Sequence, residues 1–294
     1  MPTSSDPHVL MSGLAIGESP RWHSDRLWFS NWTAQEIIAV DSQGRSEVVV
    51  RLPFSAFPFS LDWLPDGTLL IVSASDRPLL RQEADGALVA HAELSRGYNE
   101  IVVDSRGNAY INGAGFNPLA GETFAPGIIT LVAPDGAARQ VAQGIAFPNG
   151  MAITPDNATL IVADSYSKRL TAFDIGADGD LARQHVWADL GDGVPDGICM
   201  DSEGAVWYAD VPNKRCVRVH EGGETLRTVE LDRGCFACML GGEDGPTLFM
   251  LTAEWHGMAN MVGAPRTGQV VTVGAPRTGQ VVTVNAPAPH AGRP

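Results

Sequence analysis

Residues 147–164 read FPNGMAITPDNATLIVAD, and the fold follows from this stretch. Met151, Ala152 and Ile153 form a short apolar run. Pro155-Asp156-Asn157 is turn chemistry, and residues 160–163 form a second apolar run. Two such runs flanking a tight turn predict a β-hairpin. Asn149 stands at the start of its first strand.

The same hairpin recurs along the chain. Anchoring each copy on the turn position held by Asn157, usually a Gly, and counting back eight residues marks one slot per copy. The slots are Glu18, Phe59, Asn99, Asn149, Asp196 and Ala237, spaced 40–50 residues apart. Repeats of that period, built from short strands and Gly/Asp turns, predict an all-β fold, a six-bladed β-propeller of four-stranded antiparallel blades. Each blade's first strand then lines a central channel, so the six slots form a ring at one mouth. Residues 8–16 are too short for a blade and are expected to close the circle by joining the last one.

Composition agrees with a single domain. The chain has 294 residues, with 32 Gly and 20 Pro for its turns, and no long segment has helical periodicity. A formal net charge of −14 argues against nucleic acid and anionic membrane surfaces as partners. Residues 1–17 lack the basic start and apolar core of a signal peptide, and no transmembrane run is present, so a cytoplasmic location is expected. Residues 1–7 and 285–294 read as loose termini. Cys199, Cys216, Cys235 and Cys238 lack the paired spacing of a zinc site and read as reduced, buried thiols.

An undecapeptide, GAPRTGQVVTV, occupies residues 263–273 and repeats unchanged at 274–284. One copy suffices for the third strand of the sixth blade; the other is expected to be surplus.

Four slots carry side-chain oxygen. Glu18 and Asp196 are anionic, and Asn99 and Asn149 are neutral. This set suits a hard divalent cation, Ca²⁺ first, with Mg²⁺, Mn²⁺ or Zn²⁺ as alternatives. Asn and Asp also initiate turns, but Phe59 and Ala237 show that the fold does not require a polar slot. Second strands return to the same mouth, so Trp32, Phe116, Ser165 and His256 are expected at its rim, with Phe59 and Phe147 beside them as a substrate pocket. His256 is a second candidate catalytic group. Ser165 lacks a nucleophile-elbow context. Asp164 and Asp210, at their strand ends, read either as supports for the site or as turn residues.

GESPRW around Glu18, FPNGMAITPD around Asn149 and PDGICMDSEGAVWYAD around Asp196 resemble the SMP-30/gluconolactonase family, the regucalcin-like lactonases. The similarity spans about residues 13–273. The resemblance implies a six-bladed propeller holding a divalent cation and hydrolysing lactones, often sugar lactones, or related esters and organophosphates. It carries the family's metal ligands to Glu18, Asn149 and Asp196, with Asn99 contacting substrate or metal. Sugar-lactonase members carry an Arg two residues before that Asn, where this chain has Gly97, which points away from polyols. Asp196 is the expected base for the attacking water. The alternatives are an esterase, phosphotriesterase or lactone-forming enzyme on the same cation, or a non-catalytic calcium-binding propeller.

Overall fold

In the computed structural model, residues 6–74, 78–117, 120–242, 247–257, 260 and 264–274 are described. Strand β1 (His8–Leu14) precedes the first blade. Blade 1 comprises β2 (Gly17–His23), β3 (Arg26–Asn31), β4 (Glu36–Val40) and β5 (Ser46–Arg51). Blade 2 comprises β6 (Phe59–Trp63), β7 (Leu69–Ser73), β8 (Leu79–Gln82) and β9 (Leu88–Ala92). Blade 3 comprises β10 (Glu100–Val103), β11 (Ala109–Gly113), β12 (Gly127–Val132) and β13 (Ala138–Ile145). Blade 4 comprises β14 (Pro148–Ile153), β15 (Thr159–Asp164), β16 (Arg169–Ile175) and β17 (Leu181–Asp189). Blade 5 comprises β18 (Pro195–Met200), β19 (Val206–Asp210), β20 (Arg215–Val219) and β21 (Thr225–Glu230). Blade 6 comprises β22 (Gly234–Gly241), β23 (Thr247–Ala253), β24 (Gly268–Gly274) and, as its outer strand, β1.

This is the six-bladed propeller expected, and β1 closes it. Val9 pairs with Val271 and Leu14 with Gly268, both antiparallel, and His8 Nε2 lies 2.8 Å from Thr272 Oγ1. The strand that β1 meets is drawn from the first copy of the undecapeptide and ends on Gly274, the first residue of the second; residues 275–284 lie outside the described residues, as do residues 1–5 and 285–294.

Burial grades outward across each blade. Strands β6 and β7, FSLDW and LLIVS, are buried throughout, whereas the outer strands β5 and β13 expose most positions. Flanked by neighbouring blades, inner strands bury polar positions too, such as Glu18 and Asp62. Turn chemistry repeats too: Asp66 Oδ1 accepts the Thr68 amide at 2.9 Å, with Gly67 at φ 86°. The anchor residue Asn157 adopts φ 57°, a conformation that Asn tolerates better than most residues. Blade 1, lacking the Gly, turns through Ser24 and Asp25 at φ 48° and 59°.

All four cysteines are free and buried. They gather in the core shared by blades 5 and 6, with Cys199 and Cys238 sulfurs 3.9 Å apart. No helix among the described residues is long and apolar enough to cross a membrane.

Candidate functional site

The inner strands β2, β6, β10, β14, β18 and β22 each pack against the next, and β22 returns to β2. β-Bulges interrupt four of the inner strands beside their slots, whereas β10, which follows Asn99, pairs straight. Register breaks fall between Glu18 and Arg21, Pro148 and Met151, Pro195 and Ile198, and Cys235 and Ala237. A bulge re-aims one side chain out of the pleat, and three of these four hold an oxygen-bearing slot. Glycine follows two of them because the strands nearly touch there. A Cβ on Gly150 would stand 2.6 Å from the Asp196 carbonyl oxygen, and one on Gly197 2.5 Å from the Ala237 Cβ.

Four slots converge. Asn99 Nδ2 donates to Asn149 Oδ1 at 3.3 Å. The Asn149 amide lies in hydrogen-bonding reach of the Asp196 carboxylate, and Asp196 acts electrostatically on Glu18. Glu18 is 3% exposed, and its Oε2 accepts the Ser19 amide at 3.3 Å. Burial pushes the Glu18 carboxyl well above the usual range, and the charges of Asp196 and Glu100 push it further. Burial and then Glu100 do the same to Asp196. Two carboxylates driven up together at one mouth are a site short of positive charge.

The nearest cation is already engaged. Arg21 Nε lies 3.5 Å from Asp62 Oδ2, and Arg21 Nη2 lies 3.2 Å from Glu100 Oε1, all three residues being buried. Burial works against the Arg21 charge, and Asp62 and Glu100 more than offset it. Glu100 also accepts the Ile101 amide at 2.9 Å and the Ser19 hydroxyl at 3.0 Å. Asp62 accepts the Trp63 and Val103 amides at 2.8 and 2.9 Å. The guanidinium thus serves Asp62 and Glu100, and no cation is seen against Glu18 or Asp196 among the described residues. Two carboxylates with two amides match the ligand chemistry of a hard divalent cation, which would balance that charge. No group of three His, Cys, Asp or Glu gathers as a metal site among the described residues.

Asp62 supplies a pH signature. Burial, opposed in part by Arg21, raises its carboxyl to about 6. An acid whose folded pKa exceeds its unfolded value stabilises the fold below the unfolded value and loses that contribution as pH rises through the folded one. The urea midpoint is therefore expected to fall between about pH 4 and pH 6.5, and Asp62→Asn to make that fall shallower, the remainder coming from the raised carboxyls of Glu18, Glu100 and Asp196. An identical profile in the variant would refute the assignment.

The other expected residues divide. Ser165 is buried, and its hydroxyl donates to the Pro195 carbonyl at 2.7 Å, so it pins the backbone beside Asp196. Asp164 accepts the Phe147 amide at 3.1 Å, and Asp210 is bound by Asn213 and by Arg215 at 3.0 Å; both shape turns. Phe116 and Phe147 stand 6.2 Å apart, edge to face. Trp32 Nε1 donates to the Phe59 carbonyl at 2.7 Å, and its ring meets Phe57. Phe59 itself is wholly buried with Ile37, Leu52 and Leu61. Its strand pairs straight, Phe59 with Ser73 and with no bulge, and its ring belongs to the blade core. His256 is half-exposed, 3.4 Å from Glu254, and its carbonyl accepts Asn260 Nδ2 at 2.9 Å; neither partner is a ring slot.

The sequence reading missed Arg21, Asp62 and Glu100. The available signal was a charge inside an otherwise apolar inner strand, as in FSLDW and EIVV.

Comparison with known proteins places the chain's sequence and fold. The chain is 27% identical over 265 residues to regucalcin from Bos taurus, covering 84% of this chain and 86% of that one. It is 25% identical over 264 residues to 6-deoxy-6-sulfogluconolactonase from Pseudomonas putida, covering 84% and 86%. The crystal structure of a calcium-binding protein, regucalcin, from Agrobacterium tumefaciens superposes with TM-score 0.74 at 26% identity, covering 90% of this chain and 92% of that one. The profile of the SMP-30/gluconolactonase/LRE-like region matches residues 16–254. With both strand topology and profile in agreement, this chain belongs to the SMP-30/gluconolactonase/LRE-like family.

Proposed function

We propose that this protein is a divalent-metal-dependent hydrolase that opens a lactone ring. The observation that carries the reading is the convergence of the Glu18 and Asp196 carboxylates with the Asn149 and Asn99 amides, while the neighbouring Arg21 is spent on Asp62 and Glu100. Relatives named for lactone hydrolysis, 6-deoxy-6-sulfogluconolactonase and a pentonolactonase, support the choice of reaction.

Glu18, Asn149 and Asp196 would hold the cation, Ca²⁺ first, with Asn99 contributing its amide to the cation or to the substrate. When bound, such an ion supplies Lewis-acid polarisation of a carbonyl. The chain's own residues do the rest. Asp196 accepts the proton of the attacking water as the water oxygen bonds to the carbonyl carbon. The ring C–O bond then breaks, and the proton passes to the departing alkoxide. Glu18 and Glu100, both acting on Asp196, favour proton acceptance there. Asn149 bridges Asn99 and Asp196 and so fixes the spacing between substrate and base. Ser165, through the Pro195 carbonyl, keeps Asp196 at the mouth.

The test is elemental analysis of protein purified without chelator, followed by lactone hydrolysis by stripped and reloaded forms. Stripping is expected to lower turnover by about 10²-fold or more, and reloading to restore it. Full turnover by metal-free protein would overturn the reading. The likeness to a calcium-binding regucalcin favours one alternative, a propeller that binds the ion without catalysis. That alternative predicts stoichiometric metal, a higher Tm on loading and no turnover of any lactone, ester or phosphotriester.

A further inference from the structure

One feature of the mouth is unused by this chemistry. Phe116, Phe124, Phe147 and Tyr166 form a continuous pile of rings. Phe147 stacks on Tyr166 at 4.6 Å and 16°, Tyr166 on Phe124 at 6.3 Å and 24°, and Phe116 meets Phe124 at 5.5 Å. Its inner and outer ends differ. Phe147 lies two residues before Asn149, and its carbonyl accepts the Ser165 amide at 3.1 Å, whereas Phe124 and Tyr166 are 51% and 57% exposed.

The pile is built into the mouth. Asp164 accepts the amides of Phe147 and Ser167, which fixes Phe147 against the turn that carries Tyr166. Asn112, at the end of β11, donates to the Asn149 carbonyl at 2.6 Å, and Phe116 follows four residues later. A Cβ on Gly115 would stand 2.1 Å from the Pro126 carbonyl oxygen, so the two arms bearing Phe116 and Phe124 are pressed together. Position 97, two residues before Asn99, has no room for a side chain: a Cβ on Gly97 would lie 1.8 Å from the Ala74 carbonyl oxygen.

Exposed stacked rings contiguous with a hydrolytic centre bind flat apolar groups. Building on the hydrolase reading above, we infer that Phe116, Phe124, Phe147 and Tyr166 form a specificity wall that selects lactones bearing an aryl substituent over polyhydroxylated ones. The lactone carbonyl sits over the Asn149–Asp196 edge, and the substituent lies along Phe147 and Tyr166 towards Phe124.

The test uses three lactones of one ring size: γ-phenyl-γ-butyrolactone, γ-butyrolactone and ribono-γ-lactone, with the full-length, metal-loaded protein. The phenyl lactone is expected to show about tenfold higher kcat/KM than the unsubstituted one, with ribono-γ-lactone the poorest. In the double variant Phe124→Ala/Tyr166→Ala, the phenyl-to-unsubstituted ratio is expected to fall about tenfold. Both side chains are largely exposed, which leaves the fold intact. An unchanged ratio, or preference of the wild type for ribono-γ-lactone, would overturn the wall. If no lactone turns over, the hydrolase reading fails separately. Calorimetric binding of γ-phenyl-γ-butyrolactone then decides the wall: binding lost in the double variant supports it, and equal or absent binding in the wild type refutes it.

Discussion

Asp196→Asn is expected to lower kcat/KM for lactone hydrolysis by about 10²–10⁴-fold, the range for loss of a general base. The same substitution is expected to stabilise the metal-free protein by roughly 0.5–2 kcal/mol. The two signs have one origin. Asp196 sits among Glu18 and Glu100, with burial the leading force against its charge. An amide of the same shape keeps a polar contact with Asn149 and relieves that repulsion, but it accepts no proton. A variant with the loss of activity and no gain in stability would contradict the electrostatic account. Retained turnover would remove Asp196 from the chemistry altogether.

Arg21→Met should be the most damaging single substitution near the channel for folding. It leaves Asp62 and Glu100 buried without their guanidinium. Removing one partner of a buried ion pair costs about 3–5 kcal/mol, which lowers Tm by roughly 10 °C in a chain of this size. The deficit is expected to depend on pH. Without Arg21 the two carboxyls rise further, so protonation neutralises them at pH 5 but not at pH 8. Urea unfolding at the two pH values checks this, and a larger deficit at pH 5 would reverse the argument. Adding Asp62→Asn to Arg21→Met is expected to recover part of the loss, because the two sites share one interaction.

The fold was legible because a propeller writes its period into the chain. Each blade must restart at the channel through a tight turn, most often closed by a residue with positive φ, so counting back from Gly67, Gly107, Asn157 and Gly204 finds the inner strands. The same count picked out Glu18, Asn99, Asn149 and Asp196, whose side chains the fold brings near one another. Phe59 shows the limit of counting. It shares the register of Glu18 and Asn149, but its side chain packs into the blade core with Ile37, Leu52 and Leu61. Where a slot side chain is aimed depends on how neighbouring strands cross, which no local pattern states. The Arg21–Asp62–Glu100 group escaped for a related reason: its members come from three blades and meet only when the ring closes. Phe124 and Tyr166 were hidden differently, since their stacking depends on a loop folding back at Gly115.

The strand that closes the ring has an understudy. β24 takes GQVVTV from residues 268–273, and the same six residues recur at 279–284. Arg233 and Arg227 hold its two ends through the carbonyls of Thr267 and Gly274, and backbone carbonyls recur at 278 and 285. Substituting the later run lengthens the preceding loop by eleven residues, an entropic difference of roughly 0.5 kcal/mol. A charge placed at buried Val271 should accordingly do little harm in this chain, by about 1 kcal/mol or less, and several-fold more in a chain cut to a single copy. Such an exchange would make the tandem duplication a source of tolerance to mutation at the seam, where a ring with one closing segment has none.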